Sequence, residues 1–317
     1  MARMRAMAIE AFAGPAALRK MDLPRPTPAP GEVLVRVVSA GVNPIEGMIV
    51  DGELQGVVPH AFPLVPGLDA AGVVDDFGTG VNRFRKGDKV WLCAKKDLLQ
   101  WGTWCEYVAA PESCCARMPV KLLFEEAAAM PTAALTAWQC LHAGDGISGG
   151  NIVLVHAAAG GVGHFAVQLA VHAGATVLGT CGPRNLDFVF GLGATAIDYT
   201  REPLADALAR EAPDGVDLVI DTVGGETLTA SYDLVRAGGR VLSIVEEPDA
   251  AAAKARGIRA APVLVEPDGK QLEALAALVD AGAVKPHVQK IYPLTKAGAA
   301  LALLRERHVR GKLVLNL

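Results

Sequence analysis

Aromatic residues are scarce in this chain, at 5% of 317, and long apolar runs are absent. No stretch reaches the roughly 18 consecutive apolar residues of a membrane-spanning helix, so a bilayer is not an expected partner. Lysine and arginine form no block, and 30 basic against 34 acidic side chains leave a formal net charge of −4. Nucleic acid and anionic membrane surfaces are therefore not expected partners either. The six cysteines, at 93, 105, 114, 115, 140 and 181, make no Cys-x-x-Cys pair. That spacing argues against a zinc ribbon, a thioredoxin-like redox pair or any cysteine-built metal site. Free thiols in a reducing compartment are the plainer reading. The basic start, Met1 to Met7, leads into Glu10 without the apolar core of a signal peptide, which points to the cytoplasm.

What is present suggests about two domains, on the usual prior of 100–200 residues each. The first third reads as strands at 32–38, 71–74 and 89–92, with turns at Gly78, Gly80 and Gly87. From Glu125 the texture changes. Alanine-rich helical runs (125–130 and 133–143) are followed by strand-like segments at 151–155, 176–180, 196–199, 218–221, 240–244 and 262–265. Helical patterns fall between them at 164–173, 203–212 and 226–237. This alternation predicts an α/β fold with a doubly wound parallel sheet. A last helix is expected over 269–281, then strand, helix and strand over 285–317.

The segment Val153-Leu154-Val155-His156-Ala157-Ala158-Ala159-Gly160-Gly161-Val162-Gly163 carries the chemistry. Ala158, Gly160 and Gly163 occupy the positions of a G-x-G-x-x-G fingerprint, with alanine in the first place. Small residues, Gly161 and Val162 included, let a backbone approach a pyrophosphate, and the N–H groups of a helix N-terminus face the anion. Gly174 stands where a C-cap belongs, and the βαβ unit has about the expected 30 residues. The alternative is a tight turn without a ligand.

An NAD site places an acidic residue near the end of the second strand, about 20 residues after the first glycine position. Here that end reads Thr180-Cys181-Gly182-Pro183-Arg184-Asn185, with a cation and no carboxylate. Arg184 would attract a 2′-phosphate, so NADP(H) is the expected cofactor. The alternative is a solvated arginine opening the next helix. Alkylation of Cys181, at this edge, is expected to block the cofactor.

These residues together resemble the zinc-free, zeta-crystallin-like quinone oxidoreductase branch of the medium-chain dehydrogenase/reductase superfamily. The resemblance runs through Pro30-Gly31-Glu32-Val33-Leu34-Val35, Gly41-Val42-Asn43-Pro44, Pro66-Gly67-Leu68-Asp69-Ala70-Ala71-Gly72, Gly87-Asp88-Lys89-Val90, Glu106-Tyr107-Val108, the fingerprint, and Arg310-Gly311-Lys312-Leu313-Val314-Leu315. It implies a GroES-like β-rich catalytic domain over 1–124, completed by 284–317, and a Rossmann domain over 125–283. It also implies a cofactor in the cleft between them, and a homodimer. Zinc members carry Cys at Asn43 and Gly-His-Glu at Gly67-Leu68-Asp69, so no metal is expected. Hydride transfer would then rest on positioning, onto a small hydrophobic acceptor that is already electrophilic: a quinone or an α,β-unsaturated carbonyl.

By the same resemblance, Asn43 reaches the nicotinamide and substrate region, although a turn asparagine before Pro44 reads as well. Thr136 matches a threonine near the nicotinamide or phosphates, and Tyr199 a tyrosine beside the adenosine phosphate. Thr222 and Gly224 follow one strand and Ser243, Ile244 and Val245 another, where the ligand crevice of such a sheet lies. Lys312 matches a lysine that faces the cleft. The tyrosines common after the family asparagine are missing. The expected pocket is apolar instead, from Ile45, Met48 and Leu54, with Trp101 or Trp104 as a stacking face; the same residues read equally as core. Glu46 is a candidate proton relay, with water as the other source.

Two other functions stay open: a medium-chain enoyl-thioester reductase, for which no basic patch is visible, and a non-enzymatic NADPH-binding sensor or structural protein. Tyr292-Pro293-Leu294-Thr295-Lys296 matches the Y-x-x-x-K of short-chain dehydrogenases, but Pro293 disfavours the helix that this motif needs.

Overall fold

The computed structural model describes residues 2–317. The chain folds as two compact units: the N-terminal region through Leu135 together with Glu266–Leu317, and Thr136–Val265.

The strands of the first unit are β1 (Arg3–Ala8), β2 (Arg19–Pro24), β3 (Glu32–Val42), β4 (His60–Val65), β5 (Asp69–Phe77), β6 (Lys89–Cys93), β7 (Leu99–Trp101), β8 (Tyr107–Pro111) and β9 (Cys115–Arg117). Helix α1 (Pro44–Asp51) follows β3, α2 (Phe124–Ala128) follows β9, and α3 (Pro131–His142) runs on into the second unit. That unit continues β10 (Ile152–Val155), α4 (Gly163–His172), β11 (Thr176–Cys181), α5 (Leu186–Gly191), β12 (Thr195–Asp198), α6 (Leu204–Glu211), β13 (Val216–Asp221), α7 (Gly225–Ser231), β14 (Val235–Ser243), α8 (Ala250–Ala255) and β15 (Arg259–Pro262). The chain closes with α9 (Gly269–Ala281), β16 (Val288–Pro293), α10 (Ala297–Arg305) and β17 (Lys312–Asn316).

In the second unit six parallel strands pair in the order β12-β11-β10-β13-β14-β15. This is the doubly wound order, and its direction reverses between β10 and β13, where the ligand crevice of such sheets opens. Leu154, Leu178, Val219 and Val241 pack under the helices with Leu208, Leu228 and Ile258. β10 is short and apolar, as a strand covered on both faces must be. In the first unit a seven-stranded sheet runs β16-β17-β3-β5-β6-β9, with β8 also on β3. Long β3 turns into α1 at Asn43-Pro44, where Asn43 is the N-cap and proline takes the first helical turn.

Three expectations shift. The helix expected over 226–237 stops at Ser231, and Val235 already pairs with Val216. A β-branched residue aligned with a neighbouring strand gains more from the ladder than from another helical turn. The strand expected at 262–265 lies at Arg259–Pro262, and after Pro262 a single bond from Val263 N–H to the Ser243 carbonyl (2.8 Å) remains. Helix α9, expected with the Rossmann half, belongs to the first unit. Arg83 pairs with its Glu273 at 2.5 Å. A Cβ on Gly269 would come within 2.3 Å of the Cys115 carbonyl oxygen. An amphipathic pattern shows that a helix packs, but not on which sheet.

Candidate active site

In the second unit the chain leaves β10 at Val155 and turns sharply. Ala157 has φ 45°, a left-handed value that costs a residue with a Cβ of order 1 kcal/mol or more. The turn is closed by Gly160 N–H to the Ala157 carbonyl (2.8 Å) and tied to β11 by Ala158 N–H to the Thr180 carbonyl (2.9 Å). The small residues are required by contact. A Cβ on Gly163 would lie 2.3 Å from the Ala157 oxygen, and one on Gly179 would lie 2.8 Å from the Ala158 Cβ. Gly160, Gly161 and Val162 are half-exposed and Gly163 opens α4; the N–H groups of His164, Phe165 and Ala166 are already bonded to the Gly160 and Val162 carbonyls, so the turn itself, from Gly160 to Gly163, is the part that can face an anion. This cradle fits a dinucleotide pyrophosphate.

Buried groups set the turn. Ser231 Oγ donates to the Thr227 carbonyl (2.7 Å), so it accepts from His156 Nε2–H (2.9 Å). His156 Nδ1 is then the acceptor for the Thr180 hydroxyl (3.2 Å), whose oxygen accepts Ala157 N–H (3.2 Å). Burial depresses the His156 pKa to about 4, against a smaller opposing pull from Asp221, and the imidazole is neutral. Thr222 Oγ1 donates to the His156 carbonyl (2.8 Å). Asp221, fully buried at the end of β13, accepts from Val223 N–H (3.1 Å), Gly224 N–H (3.0 Å) and Ser243 Oγ (2.7 Å). Thr222, Gly224, Ser243, Ile244 and Val245 are thereby gathered at one edge of the sheet, with Ile244 N–H on the Asp221 carbonyl (3.1 Å). His156, Ser231 and Asp221 were not singled out from sequence. A polar residue at the end of an apolar strand was the one available signal.

Arg184 is exposed just past β11. Tyr199 is 58% exposed, and its hydroxyl lies 3.7 Å from where a Cβ on Gly182 would stand. Asp198, at the end of β12, is taken up by Thr200 N–H (3.0 Å) and Oγ1 (2.7 Å). Cys181 does not suit the expected alkylation: it is buried, and burial with help from Asp198 pushes its thiol up to about 11.

The first unit holds a buried quartet of Asn43, Glu46, Asp69 and Lys312, none more than 4% exposed. Lys312 donates to the Val42 carbonyl (3.1 Å) and to Asn43 Oδ1, and stands 4.0 Å from Asp69. Asn43 Nδ2 donates to Asp69 (3.0 Å) and to Glu46 (3.3 Å). Glu46 also accepts Asn43 N–H (2.5 Å) and Leu68 N–H (3.1 Å). Asp69 accepts from Thr132 N–H (2.8 Å) and Oγ1 (2.6 Å) at the start of α3. Burial raises the Glu46 carboxyl to about 7, raises Asp69 and lowers Lys312. Asp69 and Thr132 carried no role in the sequence reading. Lys312, expected on the cofactor, is instead enclosed in this quartet. Thr136 is buried in α3 four residues after Thr132, on the same helix face.

Ile45 and Leu54 are half-buried, and Met48, three residues after Ile45 on α1, is 38% exposed. Trp101 lines a different cavity of about 350 Å³ with Arg25, Lys96 and Tyr107; Ile45, Met48 and Leu54 are not in its walls. Trp104 offers no stacking face: it is fully buried and its Nε1–H is bonded to the Gly41 carbonyl (3.1 Å). Among the described residues, no group of three or more His, Cys, Asp or Glu is placed to hold a metal ion, and no helix is long and apolar enough to cross a membrane.

A GroES-like β unit completed by the chain's last strands, joined to a doubly wound dinucleotide sheet, defines a medium-chain dehydrogenase/reductase. Residues 29–120 match the alcohol dehydrogenase GroES-like domain family and residues 192–315 the zinc-binding dehydrogenase family. The chain is 35% identical over 325 residues to the chloroplast envelope quinone oxidoreductase homolog of Arabidopsis thaliana, covering 99% of this chain and 98% of that protein. It is 33% identical to the chloroplastic NADPH-dependent alkenal/one oxidoreductase of the same plant, over 89% of this chain and 71% of that one. The solved structure of the quinone oxidoreductase from Coxiella burnetii superposes with a TM-score of 0.90 at 34% identity, over 100% of both chains. The chain belongs to the quinone oxidoreductase family of this superfamily. It is an oxidoreductase, and its family implies a nicotinamide cofactor.

Proposed function

We propose that this enzyme transfers hydride from NADPH to a quinone or an α,β-unsaturated carbonyl, without zinc. The observation that carries the NADPH reading is the edge of β11. An exposed Arg184 follows Gly182 by two residues, the Tyr199 hydroxyl lies against that glycine, and the neighbouring carboxylate of Asp198 is occupied by Thr200. A guanidinium favours a 2′-phosphate where an NAD site keeps an acid. When bound, NADPH supplies the hydride. Gly160 to Gly163 would hold its pyrophosphate, and Thr222, Gly224, Ser243, Ile244 and Val245 would border the nicotinamide end. Asn43 and Leu68 offer neither thiolate nor imidazole, so the residues present do not fit a catalytic zinc. The acceptor must therefore be electrophilic already, which favours quinones and enones over simple alcohols. Ile45, Met48 and Leu54 supply an apolar face for it, and water supplies the proton. We infer a homodimer, on its resemblance to this family.

The test is oxidation of NADPH, followed at the cofactor's absorbance, with a panel of ortho- and para-quinones and short enones, and with NADH as control. Turnover with one acceptor class and strong preference for NADPH is the expected result. Tight NADPH binding with no turnover on any acceptor would instead make this a sensor.

A further inference from the structure

The buried quartet is not balanced in charge. Glu46 and Asp69 are two carboxylates, Lys312 is one ammonium, and Asn43, which touches all three, is neutral. With full ionisation one negative charge is left over inside the protein, where desolvation makes it costly. The lower-energy solution is one bound proton, shared out between coupled groups. The geometry favours Glu46 as its holder. Asp69 stands 4.0 Å from the Lys312 ammonium and accepts two bonds from Thr132. The direct partners of Glu46 are neutral N–H donors: the backbone of Asn43 and Leu68, and the Asn43 amide.

We propose that Glu46 is a positioning residue that takes up and releases a proton, and that its charge state sets how firmly Asn43 and Lys312 are held. The ionised carboxylate draws in the Asn43 N–H and amide and keeps the lysine charged. The neutral acid relaxes both contacts and leaves Asp69 as the one carboxylate charge facing Lys312. The groups that face this equilibrium are few. Asp69 heads β5 and Lys312 heads β17. Cys93 on β6, near Asp69 and Lys312, is neutral because burial pushes its thiol up to about 12. At the far end of α1, Asp51 is paired with Arg305 of α10. Burial is the main force that raises Glu46, the charge of Asp69 adds to it, and Lys312 and Asn43 oppose both. The effect on turnover rests on the reading of Asn43 as an active-site residue; the ionisation itself does not.

The experiment is infrared difference spectroscopy on the full-length protein between about pH 6 and about pH 9, alongside the pH profile of kcat. A carbonyl band of one protonated carboxylic acid should disappear with a midpoint near neutrality, and Glu46→Gln should lack it. In a Lys312→Met variant the same midpoint should rise by about one unit or more as the opposing cation is lost. The kcat profile should lose its neutral limb in Glu46→Gln, while KM for NADPH stays within about two-fold, a change of less than ~0.5 kcal/mol. Absence of the band in the unmodified protein overturns the proposal even if Glu46→Gln does not fold. Its persistence in Glu46→Gln, with loss in Asp69→Asn, moves the proton to Asp69 and overturns the assignment. If no quinone or enone is turned over, the infrared result still stands on its own, so the two failures are distinguishable.

Discussion

Lys312 donates to the carboxamide oxygen of Asn43, and this fixes the amide nitrogen toward Asp69 and Glu46. One lysine on the last strand thereby decides the orientation of a side chain 269 residues away in sequence.

Loss of that cation strands two buried carboxylates. Lys312→Met should destabilise the protein by about 3–5 kcal/mol near pH 8. Below about pH 6 the deficit should shrink, because burial raises both carboxyls and Glu46, raised to about 7, is then protonated. Urea titrations at the two pH values read the difference.

Glu46 gives a signed pH dependence. Its folded carboxyl is raised from 4.5 to about 7. The stability it contributes is therefore full below about pH 4.5 and lost as pH rises through 7. Relative to the unmodified protein, Glu46→Gln should gain with pH across this window, by at most ~3 kcal/mol. Parallel denaturation curves from about pH 5 to about pH 8 check the sign.

His156 acts in the opposite direction. Its folded pKa is lowered from 6.5 to about 4, so the unfolded chain binds more protons between these values. Stability tied to the neutral ring is present above about pH 6.5 and falls as pH drops toward 4, by up to ~3 kcal/mol. His156→Gln can still accept from Thr180 and donate to Ser231. It should flatten the acid limb of the thermal midpoint.

Gly163→Ala places a Cβ 2.3 Å from the Ala157 oxygen. Backbone against backbone cannot yield cheaply, so a loss of about 1–3 kcal/mol is expected. NADPH affinity by fluorescence titration should weaken more than the thermal midpoint falls.

Arg184 is exposed, and the role proposed for it is specific to the 2′-phosphate of NADPH. Arg184→Ala should raise KM for NADPH about ten-fold, ~1.4 kcal/mol, and leave KM for NADH nearly unchanged. Equal effects on both cofactors would refute the 2′-phosphate contact.

The dinucleotide half was legible before any coordinates. A short apolar strand, a turn of small residues and a capped helix are local patterns, and Ala158, Gly160 and Gly163 announce a close backbone approach by their size alone. The absence of an acid after Thr180 is likewise a one-dimensional fact. Helix α9 was legible as a helix but not as a neighbour of β9, because periodicity gives a face and not its partner. Trp104 read as a stacking surface because its closed Nε1–H bond to Gly41 joins residues 63 apart.

The amino-acid sequence by itself determined the element types, the fingerprint and the family, since these rest on spacing along the chain. Only the tertiary structure decided what the polar residues do. Asp69, Glu46 and Lys312 are ordinary charges in sequence. They become a coupled, proton-sensitive set because antiparallel pairing of β17 and β5 with β3, and the turn of β3 into α1, remove all three from water at one place. Desolvation is a property of that place, and no single segment of the chain encodes it.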